Sequence, residues 1–157
     1  MTRDKLQNLK VLVVDDSAYM RELLSSILRA FGTSDVCLTE SALDATHALV
    51  KFQAQVAIVD WMMSPVNGIE FVKHLRHSTL DRFRYLPIVM LTGYTDSENV
   101  SMAKDVGVNG FLGKPFTPNA LYDQITHVME KPSDFRVATP ESQAAEVVGK
   151  SFTAIRR

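Results

Sequence analysis

The sequence predicts an α/β fold, doubly wound around a five-stranded parallel sheet. Two observations carry this expectation. Short, β-branched apolar runs alternate five times with amphipathic stretches of helical spacing, and two of the runs end in aspartate. Strands that alternate with helices pair in parallel, because each crossover helix packs back onto a face of the sheet.

The elements follow in order. Residues 11–14 (Val-Leu-Val-Val) are uninterrupted and apolar, which suits a strand buried on both faces. Met20, Leu23, Leu24, Ile27, Leu28 and Phe31 recur at helical spacing, and Gly32 is the expected stop. Residues 35–39 read as the second strand. Ser41 is the expected cap of a helix carrying Ala42, Ala45, Leu49 and Phe52. Residues 56–59 form the third strand, which runs into Asp60. A loop with Pro65 and Gly68 leads to a helix with Ile69, Val72 and Leu75. Residues 87–91 form the fourth strand, ending at Thr92. Thr95 and Glu98 have capping-box spacing before a helix that Gly107 stops. Residues 110–113 form a short fifth strand. Thr117 and Pro118 supply the cap and first-turn proline of a helix with Leu121, Ile125 and Val128.

Residues 1–130 are thus expected to form one domain. Residues 131–157 read as a C-terminal tail, flexible or docking, with no output domain. Pro132 and Pro140 interrupt any pattern there until Val148, Phe152 and Ile155 recur at helical spacing.

Composition narrows the function classes. The net charge of −1, from 17 basic and 18 acidic residues, gives no expectation of direct nucleic-acid binding. No apolar run approaches the length that spans a bilayer, and residues 1–5 lack the apolar core of a signal peptide. Cys37 is the only cysteine, so an internal disulfide is excluded and a reducing, cytoplasmic setting is expected.

Ligands of parallel α/β sheets sit beyond the carboxyl ends of the strands. Asp15 and Asp16 follow the first strand, Asp60 the third, Thr92 ends the fourth and Lys114 the fifth. With strand order 2-1-3-4-5, the first and third strands are neighbours and three carboxylates converge. Close carboxylates disfavour one another's ionisation, so a divalent cation is expected among them. Oxygen ligands with open positions suit Mg²⁺. With that charge present, Asp60 could act as a carboxylate nucleophile toward a phosphoryl group, giving an acyl phosphate. The Lys114 ammonium and the Thr92 hydroxyl would hold the remaining phosphoryl oxygens.

The motifs Val-Val-Asp15-Asp16-Ser, Val-Asp60-Trp-Met-Met-Ser-Pro-Val-Asn-Gly68, Pro-Ile-Val-Met-Leu-Thr92-Gly and Gly-Phe111-Leu-Gly-Lys114-Pro115-Phe116 together resemble the response-regulator receiver domains of two-component signalling, over roughly residues 8–130. The resemblance is to stand-alone, chemotaxis-regulator-like receivers, and it implies the flavodoxin-like receiver fold. It further implies that Asp15 and Asp16 hold Mg²⁺ with Asp60, that the Met62 backbone carbonyl joins them, and that Asp60 is the phosphoacceptor. Thr92 and Lys114 would contact the phosphoryl group, and Phe111 would be the switch aromatic. A cis peptide is expected before Pro115. The face formed by the fourth helix, fifth strand and fifth helix would change on phosphorylation. Because Phe111 has no hydroxyl, packing alone must bias that change. Met62 and Tyr94 border the site and are neither acidic nor amide, from which slow self-dephosphorylation is expected.

The implied partners are a histidine kinase or histidine phosphotransfer protein as donor, and a downstream protein target. A phosphorylation-dependent homodimer is left open. The protein is expected not to be an enzyme beyond its own phosphorylation and dephosphorylation. Alternatives are a phosphate sink, or a degenerate receiver used as an interaction scaffold. An aspartate-nucleophile phosphatase of the haloacid dehalogenase type would need an Asp-x-Asp pattern on the first strand, which Asp15-Asp16-Ser17 does not offer. Gly113-Lys114-Pro115 is not a P-loop, since Val108 stands where that motif needs glycine and Pro115 where it needs Ser or Thr. His74 and His77, without further ligands, read as surface residues, and Cys37 as a small core residue.

Overall fold

The computed structural model describes the backbone of residues 4–155 and the side chains of residues 5–149. The helical spacing noted for Phe152 and Ile155, and the terminal Arg156 and Arg157, lie outside the described side chains. Strands β1 (Lys10–Val14), β2 (Asp35–Thr39), β3 (Val56–Asp60), β4 (Ile88–Thr92), β5 (Gly110–Gly113) and β6 (Arg136–Ala138) form one sheet in the order β2-β1-β3-β4-β5-β6. Every pairing is parallel. The expected order of the first five strands holds. The strand count does not, because residues 136–138 add a sixth strand beside β5.

The helices are α1 (Ala18–Ala30), α2 (Ala42–Lys51), α3 (Gly68–Arg76), α4 (Ser97–Val106), α5 (Pro118–Glu130) and α6 (Pro140–Ile155), with a single helical turn at Asp81–Arg84. Side-chain alternation along the strands divides the core into two layers. Leu12, Val14, Ala57, Val59, Ile88, Met90 and Phe111 face α2, α3 and α4, through residues such as Ala45, Leu49, Phe71, Val72 and Ala103. Val11, Val13, Val56, Ile58, Val89, Leu91 and Leu112 face α1 and α5, through Leu24, Leu28, Leu121, Ile125 and Val128. Both faces of β1, β3 and β4 are therefore covered, which is why these strands read as unbroken apolar runs rather than alternating ones.

Local capping sets the helix starts. The Ser17, Ser41 and Thr117 hydroxyls accept backbone N–H groups of Met20, Asp44 and Ala120. At α4 the expectation needs correction: the cap is Asp96, whose carboxylate accepts the Asn99 N–H at 3.0 Å, not Thr95 with Glu98. A carboxylate at this position also faces the positive end of the helix dipole. At α3 a full capping box, Asn67 with Glu70, sets the start, in addition to the Pro65 and Gly68 that mark this loop in the sequence. Cys37 is only partly buried, packed at the margin of the first layer.

The C-terminal segment closes the β5 edge. Arg136, Val137 and Ala138 pair with Gly110, Phe111 and Leu112. Gln124 on α5 is fully buried and donates to the Phe111 carbonyl at 3.2 Å and the Arg136 carbonyl at 3.4 Å, which ties the two strands to the helix behind them. At the other end of the sheet edge, the Asn109 side chain donates to the Pro132 carbonyl at 2.7 Å. No described helix is long and apolar enough to cross a membrane.

Candidate functional site

The carboxyl ends of β1, β3, β4 and β5 bring Asp15, Asp16, Asp60, Thr92 and Lys114 to one edge of the sheet. Parallel register explains the convergence. Val14 pairs with Val59 and Thr92 with Gly113, so the residues that follow each strand emerge together. One carboxylate oxygen from each of Asp15, Asp16 and Asp60 lies within 4.8 Å of the others. Asp15 and Asp60 are buried, Asp16 is exposed, and the Lys114 ammonium donates to Asp60 Oδ1 at 2.8 Å.

Asp15 is held by its neighbours. The Asp15 N–H donates to the Thr39 carbonyl at 3.1 Å, and the Arg21 guanidinium donates to the Asp15 carbonyl at 2.8 Å. The Ser17 N–H donates to Asp15 Oδ1 at 2.9 Å. Asp15 Oδ2 is buried with no hydrogen-bond partner. A buried carboxylate oxygen left bare is costly unless something charged or polar meets it. Burial pushes the Asp15 carboxyl above its ordinary range. The Ser17 N–H partly offsets this, and the Asp60 charge adds to it. Asp60 is also raised, first by burial; its hydrogen bond to Lys114 pulls the other way and the Asp16 charge reinforces the rise. The donor set is oxygen only, open toward solvent at Asp16, and one of its oxygens lacks any partner. These residues could hold a hard divalent cation.

The loop after β3 brings the start of α3 close against the strand end. Gly68, the first residue of α3, donates its N–H to the Trp61 carbonyl at 2.9 Å. A Cβ at this position would lie 2.5 Å from the Asp60 carbonyl oxygen and 2.9 Å from Trp61 Cα. Only glycine lets α3 begin this close to the strand end. Both Ser64–Pro65 and Lys114–Pro115 are cis, the second as the resemblance implies.

Thr92 is buried, and its hydroxyl oxygen accepts the Tyr94 N–H at 3.0 Å, which ties it to the loop before α4. Its carbonyl accepts the Lys114 N–H at 2.7 Å. Phe111 is fully buried in the same layer as Ala103 and Val108. Met62 and Tyr94 are exposed at the rim, as is Pro115. His74 and His77 stand exposed on and just after α3, and neither belongs to the acidic cluster. One residue in contact with the site's frame, Gln143, has no counterpart in the sequence expectations. Its only signal was the Thr139-Pro140 pair ahead of it, which repeats the helix-start signature of Thr117-Pro118.

The comparisons with known proteins agree with this geometry. The family model of the response regulator receiver domain matches residues 11–126. The chain is similar to the chemotaxis protein CheY1 of Helicobacter pylori, at 36% identity over 122 residues, covering 77% of this chain and 97% of that protein. It is 30% identical over 125 residues to the chemotaxis protein CheY-3 of Vibrio cholerae, covering 80% of this chain and 95% of that protein. The solved structure of the Vibrio cholerae chemotaxis protein CheY4 superposes with a TM-score of 0.71 at 35% identity, over 76% of this chain and 98% of that one.

Proposed function

Because this chain belongs to the response regulator receiver domain family, we propose that it accepts a phosphoryl group on Asp60 and transmits the event by a change of conformation. The observation that carries this reading is the Lys114 ammonium, 2.8 Å from Asp60 Oδ1, on a carboxylate that clusters with those of Asp15 and Asp16. The donor is a histidine kinase or a histidine phosphotransfer protein. The Asp60 carboxylate attacks phosphorus, the bond to the donor histidine breaks, and an acyl phosphate forms. Lys114 holds a phosphoryl oxygen by charge, and the Thr92 hydroxyl donates to another. Positioning and charge neutralisation supply most of the rate in such transfers.

The Asp15, Asp16 and Asp60 carboxylates with the Met62 backbone carbonyl would hold Mg²⁺, which when bound offsets the repulsion between Asp60 and an anionic phosphoryl group. The bare Asp15 Oδ2 supports this assignment. Saturating Mg²⁺ at about ten times its Kd is expected to stabilise the folded protein by about 1.4 kcal/mol, read as a rise in Tm. The rise should disappear in Asp15→Asn. An equal rise in that variant would move the metal elsewhere.

Thr92 is the element that turns charge into motion. A hydroxyl accepts and donates at once, so Thr92 can keep the Tyr94 N–H while donating to a phosphoryl oxygen. Drawing the hydroxyl toward Asp60 therefore pulls the loop before α4. Phe111 already lies inside the core, so its part in the readout is packing rather than a hydrogen bond. The responding surface is α4, β5 and α5, with β6 laid along the β5 edge. Met62 and Tyr94 offer no acid or amide to orient a water, so the acyl phosphate is expected to decay slowly. Decay within seconds in purified protein would exclude this.

The experiment that tests the whole reading is incubation with acetyl phosphate and Mg²⁺, followed by peptide mass spectrometry. A stable phosphoryl adduct on Asp60 is expected, without turnover of external phosphate esters. A protein that stays unlabelled, or that hydrolyses such esters, sinks it.

A further inference from the structure

Beyond the matched residues 11–126, the C-terminal segment reaches back to the site. Gln143, in the first turns of α6, is 5% exposed. Its side-chain nitrogen donates to the Gly113 carbonyl at 3.2 Å, and its side-chain oxygen accepts the Thr117 N–H at 2.8 Å. Those two backbone groups bracket Lys114, Pro115 and Phe116. One side chain thus closes both ends of the turn that carries the Lys114 ammonium. The far side of the turn is fixed by the Lys114 N–H bond to the Thr92 carbonyl.

The sequence of α5 explains why a distant residue is needed. Thr117 is the N-cap, and in a capping box a Glu or Gln three residues on satisfies the N-cap N–H. Here that position is Ala120, which has no acceptor. Gln143 supplies it from another helix. The start of α6 is held in place at the same point. The Thr139 hydroxyl accepts the Ser142 N–H at 3.1 Å, and a Cβ on Gly113 would lie 2.9 Å from Pro140 Cδ and 2.6 Å from Thr95 Cγ2. The helix start and the loop after β4 therefore both close on the end of β5 at Gly113.

We propose that Gln143 is a positioning residue for Lys114, so that phosphoryl uptake depends on the docked C-terminal helix. The proposal rests on the reading of Asp60 as acceptor and Lys114 as the cation opposite it. Without Gln143 the turn loses both of its outer hydrogen bonds, and the ammonium samples positions away from Asp60.

The test uses full-length Gln143→Ala beside the wild type. Amide hydrogen exchange at Thr117, followed by NMR, should quicken by about tenfold, the equivalent of its lost hydrogen bond, and exchange at Lys114, whose own bond to the Thr92 carbonyl remains, should quicken by a smaller factor as the turn loosens. Labelling of Asp60 by acetyl phosphate, a donor too small to need the tail, should slow by about five- to tenfold. Mg²⁺ affinity, read from Trp61 fluorescence, should not weaken, since Gln143 touches none of the acids. Gln143→Glu keeps an acceptor for the Thr117 N–H and loses the donor to Gly113. It should slow labelling partway with Thr117 still protected, and it serves if the alanine variant does not fold. Unchanged exchange at Lys114 overturns the proposal. So does a parallel loss of Mg²⁺ affinity and labelling, which marks general loosening. A wild type that takes no label, with Lys114 and Thr117 amides freed in the variant, sinks the acceptor reading and leaves the role of Gln143 in holding this turn intact.

Discussion

Asp60→Asn is expected to abolish the phosphoryl adduct outright and, at neutral pH without metal, to raise the melting temperature by several degrees. The loss follows from chemistry, because an amide cannot serve as the attacking carboxylate. The gain follows from burial. Asp60 and Asp15 both have carboxyls raised above their ordinary range, burial being the leading cause. An acid whose folded pKa is raised binds its proton more tightly when folded. Its stabilising contribution is fully present below the ordinary carboxylate range and is lost as pH rises through the raised value. Ionising either group in the folded protein carries a cost, and removing one charge relieves it. Thermal unfolding of metal-free protein from about pH 4 to about pH 8 should show the wild type losing more stability with rising pH than the variant. Identical profiles would mean that the acids do not burden the fold. An adduct that survives the substitution would place the acceptor on another side chain.

Gly68→Ala is expected to cost about 1–3 kcal/mol of stability through overpacking. The added methyl would stand 2.5 Å from the Asp60 carbonyl oxygen and 2.9 Å from Trp61 Cα, both backbone atoms with little room to yield. Either α3 moves away from the sheet or the end of β3 shifts. In both cases the Asp60 carboxylate leaves its place beside Lys114, so Asp60 labelling should slow by at least about tenfold. Urea unfolding and the labelling rate together check this. Wild-type stability with wild-type labelling would show that α3 starts farther from Asp60 than this geometry has it.

Much of this protein was legible along the chain. The β-branched runs at β1, β3 and β4, the caps at Ser41 and Thr117, and the acids, threonine and lysine at strand ends all act over a few residues, within reach of local pattern. Other features were not. Asp96 displaced Thr95 as the cap of α4 because both suit the role and their spacing to the helix differs by one residue. The sixth strand has no signature in the sequence because Arg136–Ala138 is three residues long and joins the sheet through backbone groups that any side chains would allow.

The amino-acid order by itself determined which residues are available for chemistry and which segments become strands or helices, since hydrophobic period and end-capping are local properties. Parallel strand order was enough to expect the acids and Lys114 at one edge, but folding in three dimensions was needed to bare Asp15 Oδ2, to set Gly68 against the Asp60 backbone, and to let Gln143 brace a turn 26 residues earlier at Thr117. Those contacts depend on which strands lie side by side and on what covers the last of them, and no short window of sequence encodes either.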